Sequence, residues 1–184
     1  MTSAVTNATL GPAIARRALH QLRSALERDL GMQAASYLQE AGFAAGEATH
    51  EAFTAFAGER YAVADAADLD ERWLGEALSG FFRSAGWGGL ETTRLGPVLA
   101  FDSNDWAEAL DTPGAEYPTC HLSSGMLADV LGRLAGEPTA VMEVECRSRG
   151  DARCRFLAGS PETLGSLYDR MAQGTPYHEA LGAE

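Results

Sequence analysis

All three cysteines of this chain sit in its C-terminal half, spaced C-x25-C-x7-C at Cys120, Cys146 and Cys154. The second and third flank Gly150-Asp151, a dipeptide that predicts a two-residue hairpin between strand-like runs from Thr139 to Cys146 and from Ala152 to Leu157. Paired strands lie within about 5 Å of each other, so both sulfurs can reach one ion. Cys120 precedes a helical run and can supply a third thiolate from a loop. An odd number of cysteines makes no closed disulfide framework, and a chain of 184 residues needs none. The expected setting is the reducing cytoplasm, where clustered cysteines hold metal or do chemistry.

A structural zinc takes four ligands, so a carboxylate or an imidazole must complete the set. On the residues alone the candidates are Glu143, Glu145 and His121. Both glutamates have the wrong parity to share a strand face with Cys146, so a bulge or an early turn must re-aim whichever of them binds. Three thiolates and one carboxylate around Zn²⁺ leave a formal charge of about -2, which needs compensation. Arg147, Arg149, Arg153 and Arg155 surround the hairpin and are predicted to supply it.

Upstream of this region the periodicity is helical. Pro12 is a good first helical residue, and Ile14, Ala18, Leu22, Leu26 and Leu30 form an i, i+4 stripe. Arg16, Arg17, Arg23 and Arg28 lie mostly off that buried stripe. A second helix is predicted from Gln33 to Ala41, and a third run, bracketed by Gly42 and Gly46, through Phe53 and Phe56 to Arg60. Asp68 and Glu71 predict a capping pair for a helix that buries Leu69, Trp73, Ala77, Phe81 and Ala85 and ends at Gly86, Gly88 and Gly89. Leu90–Leu95 and Val98–Phe101 read as strands joined at Gly96-Pro97, and a polar loop over 111–118 leads to Cys120. Ser123 or Ser124 caps a helix carrying Leu127, Val130, Leu131 and Leu134, which Gly136-Glu137-Pro138 stops. Ser160-Pro161 opens a last helix to Ala172. Helices first and short strands after give an α+β class with an antiparallel sheet. The expected division is a flexible N-terminus over 1–10, a single domain over 11–173 and a mobile tail over 174–184.

Charge narrows the partners. A net charge of -12 and a pI near 4.7 offer no basic face for nucleic acid or for an anionic membrane. No stretch reaches the roughly 20 apolar residues of a membrane span, and no secretory leader is expected over Met1 to Leu10.

The segments Cys120-His-Leu-Ser-Ser-Gly125-Met-Leu, Val141-Met-Glu143-Val-Glu-Cys146 and Gly150-Asp-Ala-Arg-Cys154-Arg-Phe156 resemble the signature of the 4-vinyl reductase domain family. The spacing C-x22-E-x2-C-x7-C is similar to the zinc site of that family's aromatic-sensing regulators, and Ala41-Gly-Phe43-Ala-Ala-Gly46-Glu fits more weakly. The resemblance covers residues 10–158, with specific motifs from Cys120 onward. It implies a structural zinc on Cys120, Glu143, Cys146 and Cys154. It also implies a fold related to TRAPP-type trafficking subunits, often dimeric, with a C-terminal zinc hairpin.

The same resemblance implies a pocket for a flat apolar molecule, for which Trp73, Phe81, Phe101, Trp106 and Tyr117 are the lining candidates, with Phe82 and Trp87 beside them. Leu99-Ala100-Phe101-Asp102-Ser103 lacks the tryptophan expected there in phenol sensors, which argues against phenol itself. No phosphate-binding loop, dinucleotide fingerprint or nucleophile–base pair is present, so catalysis is not expected. Three readings follow: a sensory or carrier domain for an aromatic or tetrapyrrole-like ligand, reporting through a partner protein; an auxiliary protein of bacteriochlorophyll synthesis; or a homodimeric scaffold without ligand.

Overall fold

Glycine decides how the helical layer is built. In the computed structural model, which describes residues 11–110 and 113–182, α1 (Gly11–Leu30) leads through a 3-10 turn into α2 (Ala34–Tyr61). The two helices expected between Gln33 and Arg60 are therefore one. Gly42 and Gly46 do not break it, because they lie where α2 crosses α4 (His121–Ala135). A Cβ on Gly42 would stand 1.9 Å from the Leu122 carbonyl oxygen, and one on Gly125 would stand 2.0 Å from that of Gln39. Glycine on both helices lets the two backbones touch, which outweighs its helix-propensity cost of about 1 kcal/mol per residue.

Helix α3 (Glu71–Ser84) is capped by Asp70, whose carboxylate accepts from the Arg72 N–H; Asp68 instead closes a 3-10 turn over Ala66–Asp68. The expected Asp68–Glu71 pair is thus displaced. Its buried stripe is also rotated: Ala77, Leu78, Phe81 and Phe82 are buried, whereas Trp73 is 44% exposed. Helix α4 has Cys120 at its N-cap, so the two serines expected to cap it lie inside the first turn.

The sheet has order β1-β2-β4-β3 and is antiparallel throughout, with β1 (Glu91–Leu95), β2 (Val98–Ser103), β3 (Ala140–Glu145) and β4 (Cys154–Gly159). Gly96 at φ +56° makes the predicted turn between β1 and β2. The β3–β4 connection is longer than the predicted two-residue hairpin. Cys146 donates its N–H to the Asp151 carboxylate at 2.7 Å, and its carbonyl accepts from Arg149 and Asp151, which curls residues 146–153 into a closed loop.

Alternation along the strands splits the core in two. Phe101, Cys154, Phe156 and Ala158 face the layer of α2, α3 and α4, while Val98, Ala100, Val144 and Leu157 face α5 (Pro161–Ala172) and α6 (Tyr177–Leu181). Ser160 caps α5 as predicted, accepting from the Thr163 N–H. The segment expected to be a mobile tail instead contains α6, with Ala180 fully buried. The expected loose segment 1–10, Asp111 and Thr112 of the predicted loop, and residues 183–184 lie outside the described residues.

Helix α1 reverses its sequence reading. Leu22 and Leu30 are 54% and 39% exposed, and Arg23 is 1% exposed. The cause is its neighbour: α1 meets a polar stretch of backbone, with His20 Nε2 3.1 Å from the Ala107 carbonyl and Arg23 on Glu108 and Thr119. No described helix is long and apolar enough to cross a membrane.

Candidate metal centre

Three chain segments deliver four acidic side chains to one buried point. Cys120 ends the 113–120 loop at the N-cap of α4, Glu143 and Cys146 come from the end of β3, and Cys154 opens β4. Their ligand atoms all lie within 4.8 Å of one another, and all four residues are buried. Cys120 Sγ is 3.9 Å from Cys146 Sγ and 4.0 Å from Cys154 Sγ. A tetrahedron with metal–sulfur bonds of about 2.3 Å has edges of about 3.8 Å, so the sulfurs already stand at the spacing a metal demands.

The parity problem on β3 is solved by a bulge. The register with β4 passes from Glu143↔Phe156 directly to Glu145↔Arg155, leaving Val144 as the extra residue. Glu143 and Cys146 consequently face the same side, and Glu145 turns to the other, where it receives Arg153 Nε at 3.0 Å. His121, half-buried, lines a cleft of about 400 Å³ beside Tyr117 and Thr119 and is not in the cluster. Of the three sequence candidates for a fourth ligand, the structure groups only Glu143 with the cysteines.

Glu143 Oε2 accepts the Cys120 N–H at 2.8 Å, whereas its Oε1 is buried with no hydrogen-bond partner. Burial, and then the neighbouring Cys146, push its carboxyl up to about 9. Burial likewise raises Cys120 well above an ordinary thiol. Cys146 is lowered because the Cys120 and Cys154 thiols donate to it. Without a cation, burial disfavours negative charge on Glu143 and Cys120. A divalent ion reverses that preference, since four anionic donors around it become favourable, and it would give the orphaned Oε1 a partner. The donor set and its geometry fit a metal ion, and four protein ligands would leave it no open position.

Three of the four hairpin arginines are engaged by carboxylates outside the cluster. Arg149 pairs with Asp151, Arg153 with Glu145, and Arg155 makes two 2.7 Å bonds to Asp102. Arg155 also donates to the Tyr177 hydroxyl, which bonds Glu145, so this network fastens α6 to the sheet. The expected compensation by these residues is thus corrected: Arg149, Arg153 and Arg155 answer acidic partners of their own.

A second buried polar group escapes the sequence reading. Glu108, fully buried, accepts from the Leu122 N–H, the Ser123 N–H and the Ser123 hydroxyl, and so satisfies the first turn of α4. Ser123 Oγ in turn accepts from Trp106 Nε1 at 2.7 Å. Burial pushes the Glu108 carboxyl up to about 7 against these bonds. The one available signal is a lone acid in the apolar run Trp106-Ala-Glu108-Ala-Leu110.

The five aromatic lining candidates separate. Phe81, Phe101 and Trp106 are buried in the main core, where Trp106 stacks edge-on with Phe82 and Phe156. Trp73 and Tyr117 are 44% and 57% exposed and lie away from that cluster.

Residues 101–160 match the family model of the 4-vinyl reductase domain, a segment that contains all four residues of the cluster. The segment similar to that family thus spans the cysteine signature. A comparison with curated proteins found no match. Among solved structures, the phenol-responsive sensory domain of the transcription activator PoxR, in complex with phenol, aligns with a TM-score of 0.62 at 18% identity over 88% of this chain and 82% of that one. A trafficking protein particle complex subunit 3 from Naegleria fowleri, covalently bound to palmitic acid, aligns with a TM-score of 0.63 at 10% identity over 80% of this chain and 93% of that one. The fold is thus the TRAPP-like α+β arrangement of helices on an antiparallel sheet.

Proposed function

We propose that this protein is a small-molecule-binding sensory or carrier domain, held together by a structural zinc ion on Cys120, Glu143, Cys146 and Cys154. The observation that carries the ligand reading is the shared fold with the PoxR sensory domain over most of both chains, combined with an aromatic core of Phe53, Phe81, Phe82, Trp106 and Phe156. These rings pair edge to face with one another, so a flat apolar molecule would have to enter by parting them. Zinc is favoured over harder cations by three thiolates. A single domain over residues 11–173 and a cytoplasmic setting belong to the same proposal.

A melt against simple phenols, larger aromatics, a long-chain fatty acid and a porphyrin tests the ligand reading. A ligand at about 100 times its Kd stabilises by roughly 2.7 kcal/mol, which raises Tm by about 5–10 °C in a chain of this size. Stabilisation by aromatics is the expected result, by porphyrin alone would favour the pigment-synthesis reading, and by none would leave a scaffold.

The exposed Leu22, Leu30 and Met32 on and after α1 support a homodimer that covers them. Sedimentation should then give a dimer that Leu22→Glu with Leu30→Glu converts to monomer; a monomeric unsubstituted protein would refute this.

A further inference from the structure

The cluster needs a counter-charge that Arg149, Arg153 and Arg155, held by acidic partners of their own, do not provide, and one buried cation stands beside it. Arg23 of α1 is 1% exposed. Its Nη1 donates to the Glu108 carbonyl at 3.0 Å and to Thr119 Oγ1 at 3.2 Å, and lies 3.5 Å from the Thr119 carbonyl. Its Nε and Nη2 are buried without a hydrogen-bond partner. Glu27 is 3.6 Å from Nε, but it is itself 42% exposed and therefore a weak answer to a buried charge. The Glu108 carboxylate is occupied by the first turn of α4, and Arg23 reaches only the carbonyl of that residue.

The Thr119 hydroxyl carries the connection. A guanidinium is donor-only, so when Thr119 Oγ1 accepts from Arg23 its single proton is free to point elsewhere. Cys146 Sγ lies 3.7 Å away. A hydroxyl fixed by a cation on one side and directed at sulfur on the other orients that sulfur, as a hydrogen-bonding partner behind a metal ligand does.

We propose that Arg23, acting through the Thr119 hydroxyl, is the positioning residue that orients Cys146 Sγ as a metal ligand and places a buried positive charge behind it, so that docking of α1 and metal occupancy are linked. This rests on the metal reading above. Whatever occupies the cluster then sets how firmly α1 is held, and α1 is the element that presents the exposed Leu22 and Leu30.

The test uses the full chain purified with zinc, and compares it with Thr119→Val, Thr119→Ser and Arg23→Met. Thr119→Val keeps the volume and removes the hydroxyl. Competition with a chromophoric chelator should show zinc held roughly 10- to 100-fold more weakly by Thr119→Val and Arg23→Met, the range for loss of a partner behind a ligand. The double variant should be no weaker than the worse single one, because both act through one contact, and Thr119→Ser should restore affinity. In the cobalt-loaded protein the thiolate-to-metal charge-transfer band should move to lower energy in Thr119→Val, which a purely structural role would not produce. Amide exchange in residues 16–30 should quicken when the metal is stripped. If Thr119→Val does not fold, Arg23→Met is read by the same band. Unchanged affinity and an unchanged band in these variants would overturn the proposal and leave the metal site standing. A protein that takes up neither zinc nor cobalt would remove the metal reading, and this inference with it.

Discussion

Stripping the metal from the purified protein is expected to unfold at least its C-terminal half. A structural zinc contributes roughly 10–16 kcal/mol of folding free energy, as much as the 5–15 kcal/mol by which a whole domain is stable. The location makes the loss unavoidable. The cluster ties the N-cap of α4, the end of β3 and the start of β4, segments separated by 25 and 7 residues between their cysteines. Its removal leaves a buried Glu143 whose Oε1 has no partner, beside three buried cysteines. Metal analysis should give about one zinc per chain, and a melt with chelator should fall by tens of degrees or lose its cooperative transition. Cys146→Ser and Glu143→Ala should approach the stripped protein. A metal-free protein that melts like the loaded one would end the four-ligand reading.

What the sequence makes legible, and what it hides, follows from where each signal is local. Strand β1, the Gly96-Pro97 turn, the Ser160 cap and the stop of α4 at Gly136 are set by neighbouring residues, and they stand where the spacing puts them, whereas β4 begins and ends two residues later than expected. The grouping of Glu143 with three cysteines comes through family resemblance, because strand parity opposes it until the Val144 bulge is visible. Gly42 and Gly46 read as helix breaks because their reason for being glycine, the Leu122 carbonyl and the Asp129 side chain, lies about 80 residues away. Arg23 reads as an outside residue for the same cause: an i, i+4 stripe reveals which face is apolar, not which face is covered. Here Ala18, Leu22 and Leu30 of the apolar stripe of α1 are exposed, and a cation is what the domain buries.

Glu108 offers the sharpest test of a buried residue that periodicity could not find. Glu108→Ala should cost about 3–5 kcal/mol, since it leaves the Leu122 N–H, the Ser123 N–H and the Ser123 hydroxyl to find other acceptors at the buried start of α4. Glu108→Gln keeps the shape and an acceptor, so its cost is smaller, and it removes the titration. That gives a pH signature with a definite sign. The folded carboxyl sits near 7 because of burial, against 4.5 for the free group. Between those values the folded state keeps a proton that the unfolded chain has released. The contribution is therefore complete below about 4.5 and is lost as pH rises through about 7. At matched metal occupancy, urea unfolding of the unsubstituted protein and of Glu108→Gln compared from about pH 5 to pH 8 should show the former losing stability relative to the latter. The subtraction cancels the thiols and Glu143, which both proteins share. A difference that stays flat across this range would mean that Glu108 is ionised throughout, and that the donors at the start of α4, together with Arg23, overcome its burial.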